Sequence, residues 1–69
     1  MATAIKTIYA KFNKGHALTT AELKAGIHHF GLLYNTLMVS GPEFKLAANE
    51  AFRVYDALTT FLNRRGVQL

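Results

Sequence analysis

No cysteine is present among the 69 residues, so no disulfide framework and no thiolate metal site can staple the chain. Acids are scarce as well. The four are Glu22, Glu43, Glu50 and Asp56. No two of them form a candidate catalytic pair: Glu50 and Asp56 are six residues apart, on different sides of a helix. There is no nucleophile motif and no Gly-rich phosphate loop of the Walker or dinucleotide type, so an enzyme is not expected. The three histidines, His16, His28 and His29, are not spaced three or four apart as a helical zinc pair would be. No metal or cofactor is expected.

Charge is missing from residues 25–42. That run holds His28, His29, Asn35, Thr36 and Ser40 and has heptad spacing. It reads as a buried helix of a soluble protein, not a membrane span. The opening "MATAIKTIYAKF" lacks a long apolar core after a basic start, so no signal peptide is expected. There is no internal repeat beyond the heptads, no low-complexity segment and no linker. Residues 1–69 are expected to form a single helical domain.

What the chain does have is apolar content, at 51%. That is too much for a disordered tail. A monomer of this size buries only about 60% of its unfolded surface. A small, unstapled, apolar chain gains stability most simply by pairing with copies of itself, so a homo-oligomer is expected. Net charge is +4, which favours anionic partners such as nucleotides, nucleic acid or acidic protein surfaces.

Ile5, Ile8, Tyr9 and Phe12 fall at helical spacing with Lys6, Lys11 and Lys14 among them. Thr3 as cap and Gly15 as stop predict a first helix over about residues 3–13. Thr19 followed by Glu22 reads as a capping box, and Leu18 with Leu23 as a hydrophobic staple. These signals predict a second helix over about residues 19–39. Its seam is Leu23, Ile27, Phe30, Tyr34 and Leu37, in steps of four and three. Gly41 permits a turn, and Pro42 suits the first position of a third helix over about residues 42–65. That helix repeats the rhythm with Phe44, Ala48, Ala51, Tyr55, Leu58 and Leu62, widened by Ala47, Val54 and Phe61. Arg64 and Arg65 answer the dipole, Gly66 suits the cap, and Val67 suits its apolar contact. Two helices of this length joined by a short turn must be antiparallel neighbours. The expected fold is all-α: a short helix, then a long helical hairpin, assembled as a bundle.

Apolar residues also lie off the seams: Ala25, Leu32 and Val39 on helix two, Leu46 and Phe52 on helix three. A three-turn first helix is too short to cover all of helix two, so a second chain is expected to share that work. Leu32, Val39 and Phe52 are the expected interface.

The stretch "NKGHALTTAE" (residues 13–22) carries the expected binding site. A helix N-terminus attracts phosphate through free N–H groups and its dipole. Lys14 and His16 precede it, Thr20 lies in its first turn, and Lys24 is one turn in. Thr19 and Glu22 occupy part of the same terminus. Tyr9 and Phe12, upstream, offer an aromatic face for a base. In a hairpin, Arg64 and Arg65 return to this end, with Asn63. Lys14, His16, Lys24, Arg64 and Arg65 are therefore expected to converge. A rival reading is a basic nucleic-acid-binding regulator held by phosphate contacts. However, no helix shows a row of Arg, Asn or Gln that would read base edges. A third is an inhibitor that docks on a host protein through Leu32, Val39 and Phe52.

The layout resembles one family. Phe12, His16 and Thr19 before helix two, then Pro42-Glu43, Leu46-Ala47 and Arg64, are similar to small phage proteins that counter bacterial nucleotide-signalling defence. These are anti-CBASS sponges, related to a hairpin found in some anti-Thoeris proteins. The resemblance implies a non-enzymatic oligomer that sequesters cyclic di- or trinucleotides between protomers in the cytoplasm of a bacterial host. It also implies aromatic and basic site residues near the first helix and the hairpin ends, matched in type by Tyr9, Lys14, His16 and Arg64. This chain has His28 and His29 where the family would carry a strongly basic middle of helix two.

Overall fold

The computed structural model describes residues 5–67 and is all-α over them. Helix α1 spans Ile5–Lys14, α2 spans Thr20–Ser40 and α3 spans Lys45–Arg64, with a single 3₁₀ turn at Pro42–Phe44 before α3. The expected cap Thr3 lies outside the described residues. Among those residues, no helix is long and apolar enough to cross a membrane.

Local signals set each boundary. Gly15 ends α1 at φ +73°, a conformation that costs glycine no Cβ clash. The Gly15 N–H then donates to the Phe12 carbonyl at 3.2 Å and the His16 N–H to the Lys11 carbonyl at 2.9 Å. Those two bonds are a Schellman closure. Four residues on, the Glu22 N–H donates to Thr19 Oγ1 at 3.1 Å and the Thr19 N–H to Glu22 Oε1 at 2.9 Å, completing the capping box. Leu18 and Leu23 are both buried, as the staple requires. At the far end Gly66 repeats the closure at φ +77°. Its N–H donates to the Asn63 carbonyl and that of Val67 to the Leu62 carbonyl, while the Val67 side chain packs on the core.

The hairpin turn corrects one expectation. Pro42 opens a 3₁₀ turn and not the first turn of α3. The Phe44 N–H bonds the Gly41 carbonyl at 3.2 Å, and the Lys45 N–H bonds the Pro42 carbonyl, both three residues back. The tighter turn takes Phe44 out of phase with the helix that follows, and its ring is exposed where the heptad seam would have buried it.

Helices α2 and α3 pack as an antiparallel pair. Leu23, Ile27 and Phe30 meet Ala51, Val54, Leu58 and Leu62, with Ile8 and Leu18 completing the core, and Ala48 is buried as well. Full burial of Ile8, Leu23, Val54, Leu58 and Leu62 contributes about 1.5–3 kcal/mol each. Val54 is a central core residue, and Phe61, expected to widen the same stripe, is exposed.

Helix α1 packs on α2, and its side chains reach from Phe61 near the open end of the hairpin to Phe30 and Glu50 farther along it. A Cβ built on Gly26 would stand 2.7 Å from Leu58 Cδ1 and 3.2 Å from Ile8 Cγ2, so Gly26 is where three helices close on one another. Long side chains carry α1 to α3. The Tyr9 hydroxyl donates to Glu50 Oε2 at 2.8 Å, and the Phe12 ring lies 6.4 Å from that of Phe61. Arg53 spans the same gap, with its guanidinium 5.6 Å from the Phe12 centroid and two 2.8 Å bonds to the Glu50 carboxylate. Those bonds from Arg53, then the one from Tyr9, hold the Glu50 pKa down at about 2. The cover stops there. Leu32, Met38, Val39, Leu46 and Phe52 stay exposed along the rest of the hairpin.

Candidate anion-binding groove

The loop at residues 15–19 is pinned at both ends by the two helix caps, and α3 ends beside it. Arg65 makes the junction. Its guanidinium donates to the Leu18 carbonyl and reaches Thr20 Oγ1 at 3.5 Å. Between this loop and the last turn of α3 runs a groove of about 350 Å³, lined by Gly15, His16, Ala17, Leu18, Leu23, Phe61, Arg64 and Arg65. Its floor is apolar, from the buried Leu18 and Leu23, and the exposed Phe61 ring stands at its side. Its rim is basic, from His16, Arg64 and Arg65. No acid lines it.

The expected convergence is thus present in part. His16, Arg64 and Arg65 share the groove. Arg65 is committed to the loop, so its role there is to hold Leu18 and Thr20 in place. Thr20 is half-buried under that guanidinium. Lys14 is exposed at the end of α1, next to Gly15 but not in the lining. Among the described residues, Lys14, Lys24 and Arg64 take part in no ion pair; those present join Lys11 to Glu22 and Arg53 to Glu50.

Two expected site residues stand elsewhere. Lys24 lines a separate groove with Ile27, His28, Gly31, Leu32, Asn35 and Tyr55, because its position in the first turns of α2 faces away from α3's end. Tyr9 is not an open platform for a base. Its ring is tilted against Phe30 at 5.8 Å between centroids, and its hydroxyl is spent on Glu50.

The α2 N-terminus is also filled. Glu22, 8% exposed, gives one carboxylate oxygen to the capping box and the other to Lys11 Nζ at 2.8 Å. The Lys11 hydrogen bond, then the Thr19 N–H, lowers its pKa, so a negative charge already occupies the helix start. An anion meets less opposition beside Arg64 than at Thr19.

Phe61 is the residue sequence reasoning missed. Its spacing predicts that it widens the core stripe of α3. Its ring stands 41% exposed at the groove. The spacing held the signal: in "FLNRR", Phe61, Arg64 and Arg65 lie one turn apart and share a helix face. The chain was compared with family models, curated proteins and solved structures, and it matches none of them.

Proposed function

We propose that this chain is a non-enzymatic binding protein that captures a small anionic ligand of the signalling-nucleotide class, a cyclic di- or trinucleotide, in the groove between residues 15–18 and the end of α3. One observation carries the reading: a basic rim and an exposed aromatic ring meet over an apolar floor with no carboxylate in the lining. Arg64 supplies a planar, permanently charged fork for a phosphate. His16 lies across the groove as a second donor. The Phe61 ring offers a face for a base, and stacking of a base on an aromatic ring is worth about 1–3 kcal/mol. The resemblance to nucleotide sponges of phages implies the same ligand class and a role in countering a bacterial defence.

The test is thermal unfolding against a panel of cyclic di- and trinucleotides, with a short DNA duplex in parallel. A ligand at about a hundredfold its Kd adds roughly 2.7 kcal/mol. For a domain of this size that raises Tm by about 10–20 °C. Arg64→Ala is expected to abolish the shift, and Phe61→Leu to reduce it. A shift with duplex DNA alone, weakening steeply with salt, would replace this reading with nucleic-acid binding. No shift with any nucleotide at millimolar concentration would overturn it.

A further inference from the structure

His16 stands exposed on the loop that walls the anion groove, across from Arg64. Its backbone is fixed, because its N–H bonds the Lys11 carbonyl at 2.9 Å and Arg65 holds the Leu18 carbonyl two residues on. Its ring is left free. His29 sets its ring edge-on to Phe30 at 5.1 Å, whereas among the described residues no aromatic ring and no acid holds His16. We propose that anion capture in this groove is coupled to uptake of one proton by His16, so that the site holds its ligand more tightly in mildly acidic surroundings. The inference rests on the anion-binding reading of the groove and adds how that site is regulated.

The charges around His16 have one sign. Lys14 ends α1 two residues before it, and Arg64 and Arg65 bring two more cations from α3. The acids are engaged or distant. Glu22, at the start of α2, gives its carboxylate oxygens to the Thr19 N–H and to Lys11. Glu50 is held by Arg53 and Tyr9. Asp56 precedes Arg64 by two turns of α3, about 12 Å, and Glu43 lies at the hairpin turn beyond the far end of that helix. Lys24 lines a different groove. Without a bound anion, an imidazolium at His16 therefore meets cations and no free carboxylate, and like charges disfavour it. A phosphate seated on Arg64 reverses that balance.

Histidine is the side chain whose charge ordinarily changes between about pH 5 and 8. The neutral ring has one donor and one acceptor nitrogen, and the imidazolium has two donors and adds a full charge to the bond it gives a phosphate. A bound anion favours the charged ring, so the ring titrates at a higher pH in the complex. Affinity then rises as pH falls through that range. Arg64 keeps its charge throughout, and a phosphodiester keeps its single negative charge. His28 lines the groove that holds Lys24, and His29 lies against Phe30, so neither faces the anion. Each pH unit by which the anion raises the His16 midpoint is about a tenfold gain in affinity for the protonated groove.

The test follows the histidine rings of the full chain by NMR from pH 5 to 8, in sodium sulfate and in sodium chloride of equal ionic strength. Sulfate is a tetrahedral dianion that does not titrate in this range. His16→Gln assigns the ring, and circular dichroism verifies folding at each pH. Sulfate is expected to raise the His16 midpoint by about half a pH unit or more, a roughly threefold gain in affinity, and to move His28 and His29 by less than about 0.2. The rise is expected to vanish in Arg64→Ala. In parallel, calorimetry with cyclic di-AMP and cyclic di-GMP is expected to give about tenfold tighter binding at pH 5.5 than at pH 8. His16→Gln is expected to flatten that profile at the weaker affinity, and His16→Lys, permanently charged, at the tighter one. A His16 midpoint that sulfate does not move, a wild-type nucleotide affinity equal at both pH values, or a profile that survives His16→Gln overturns the proposal. A midpoint that moves while neither nucleotide binds at either pH upholds the proton-linked anion site and counts against the nucleotide reading instead.

Discussion

Replacing Gly26 with alanine separates two effects that pull in opposite directions. In the interior of a helix, alanine is favoured over glycine by about 1 kcal/mol, because glycine loses more backbone freedom on folding. On propensity alone, Gly26→Ala would raise Tm. The added methyl group would lie 2.7 Å from Leu58 Cδ1 and 3.2 Å from Ile8 Cγ2. Both neighbours are fully buried, so neither side chain has solvent to swing into. Relief requires the buried Leu58 and Ile8 side chains to repack, or α1 or α3 to move off α2. Overpacking of a closed core costs about 1–3 kcal/mol. The steric cost is the larger, and a net loss of about 1 kcal/mol is expected. In a domain of this size that lowers Tm by about 4–8 °C. Urea denaturation followed by circular dichroism gives the free energy directly. Gly31→Ala is the contrast. Its added Cβ meets only the half-buried Tyr55 ring, at 3.3 Å, and that ring can yield. Measured in a Leu32→Lys background, which takes any pairing of copies out of the comparison, Gly31→Ala is expected to stabilise by up to about 1 kcal/mol. If Gly26→Ala proves more stable than wild type, the three-helix closure at that point is refuted.

Two further predictions follow from the ion pairs and the arginines. Glu50 and Glu22 both have pKa values below their ordinary 4.5, Glu50 at about 2, so each stabilises the fold when ionised. Glu50's contribution is complete above pH about 4.5 and is lost as pH falls toward 2, and Glu22's is lost in the same direction as pH falls below its ordinary value; unfolding free energy is expected to decline with falling pH, and Glu50→Gln to flatten the decline. An unfolding free energy that is constant from pH 5 to about 2 would contradict the pairing of both acids. Adjacent arginines are expected to differ: Arg65→Ala removes the bonds to Leu18 and Thr20 and costs about 1 kcal/mol, whereas Arg64→Ala changes stability by less than about 0.5 kcal/mol and acts on ligand binding alone. Equal losses from the two, by chemical denaturation, would show that Arg64 is structural too.

The sequence by itself determined the three helices and most of the local signals at their ends, though it placed the start of α3 at Pro42, where a 3₁₀ turn precedes Lys45. The capping box at Thr19 and Glu22, the staple of Leu18 on Leu23 and the closure at Gly66 and Val67 each join groups no more than five residues apart. Such signals depend on local backbone geometry and are read without knowing the fold. The heptad seams of α2 and α3 were legible for a related reason, since a helix repeats its face every seven residues wherever it lies. Only the tertiary structure decided the rest. A straight helix drifts about 20° per heptad, so residues at the edge of a stripe cannot be sorted from periodicity. Val54 proved central, while Phe61 turned outward to the groove. Tyr9 meets Glu50 across 41 positions of chain, and Arg65 meets Leu18 across 47. Those contacts depend on how far each helix is rotated and where α1 crosses the hairpin, and the close approach at Gly26 sets that crossing only once all three helices are packed together.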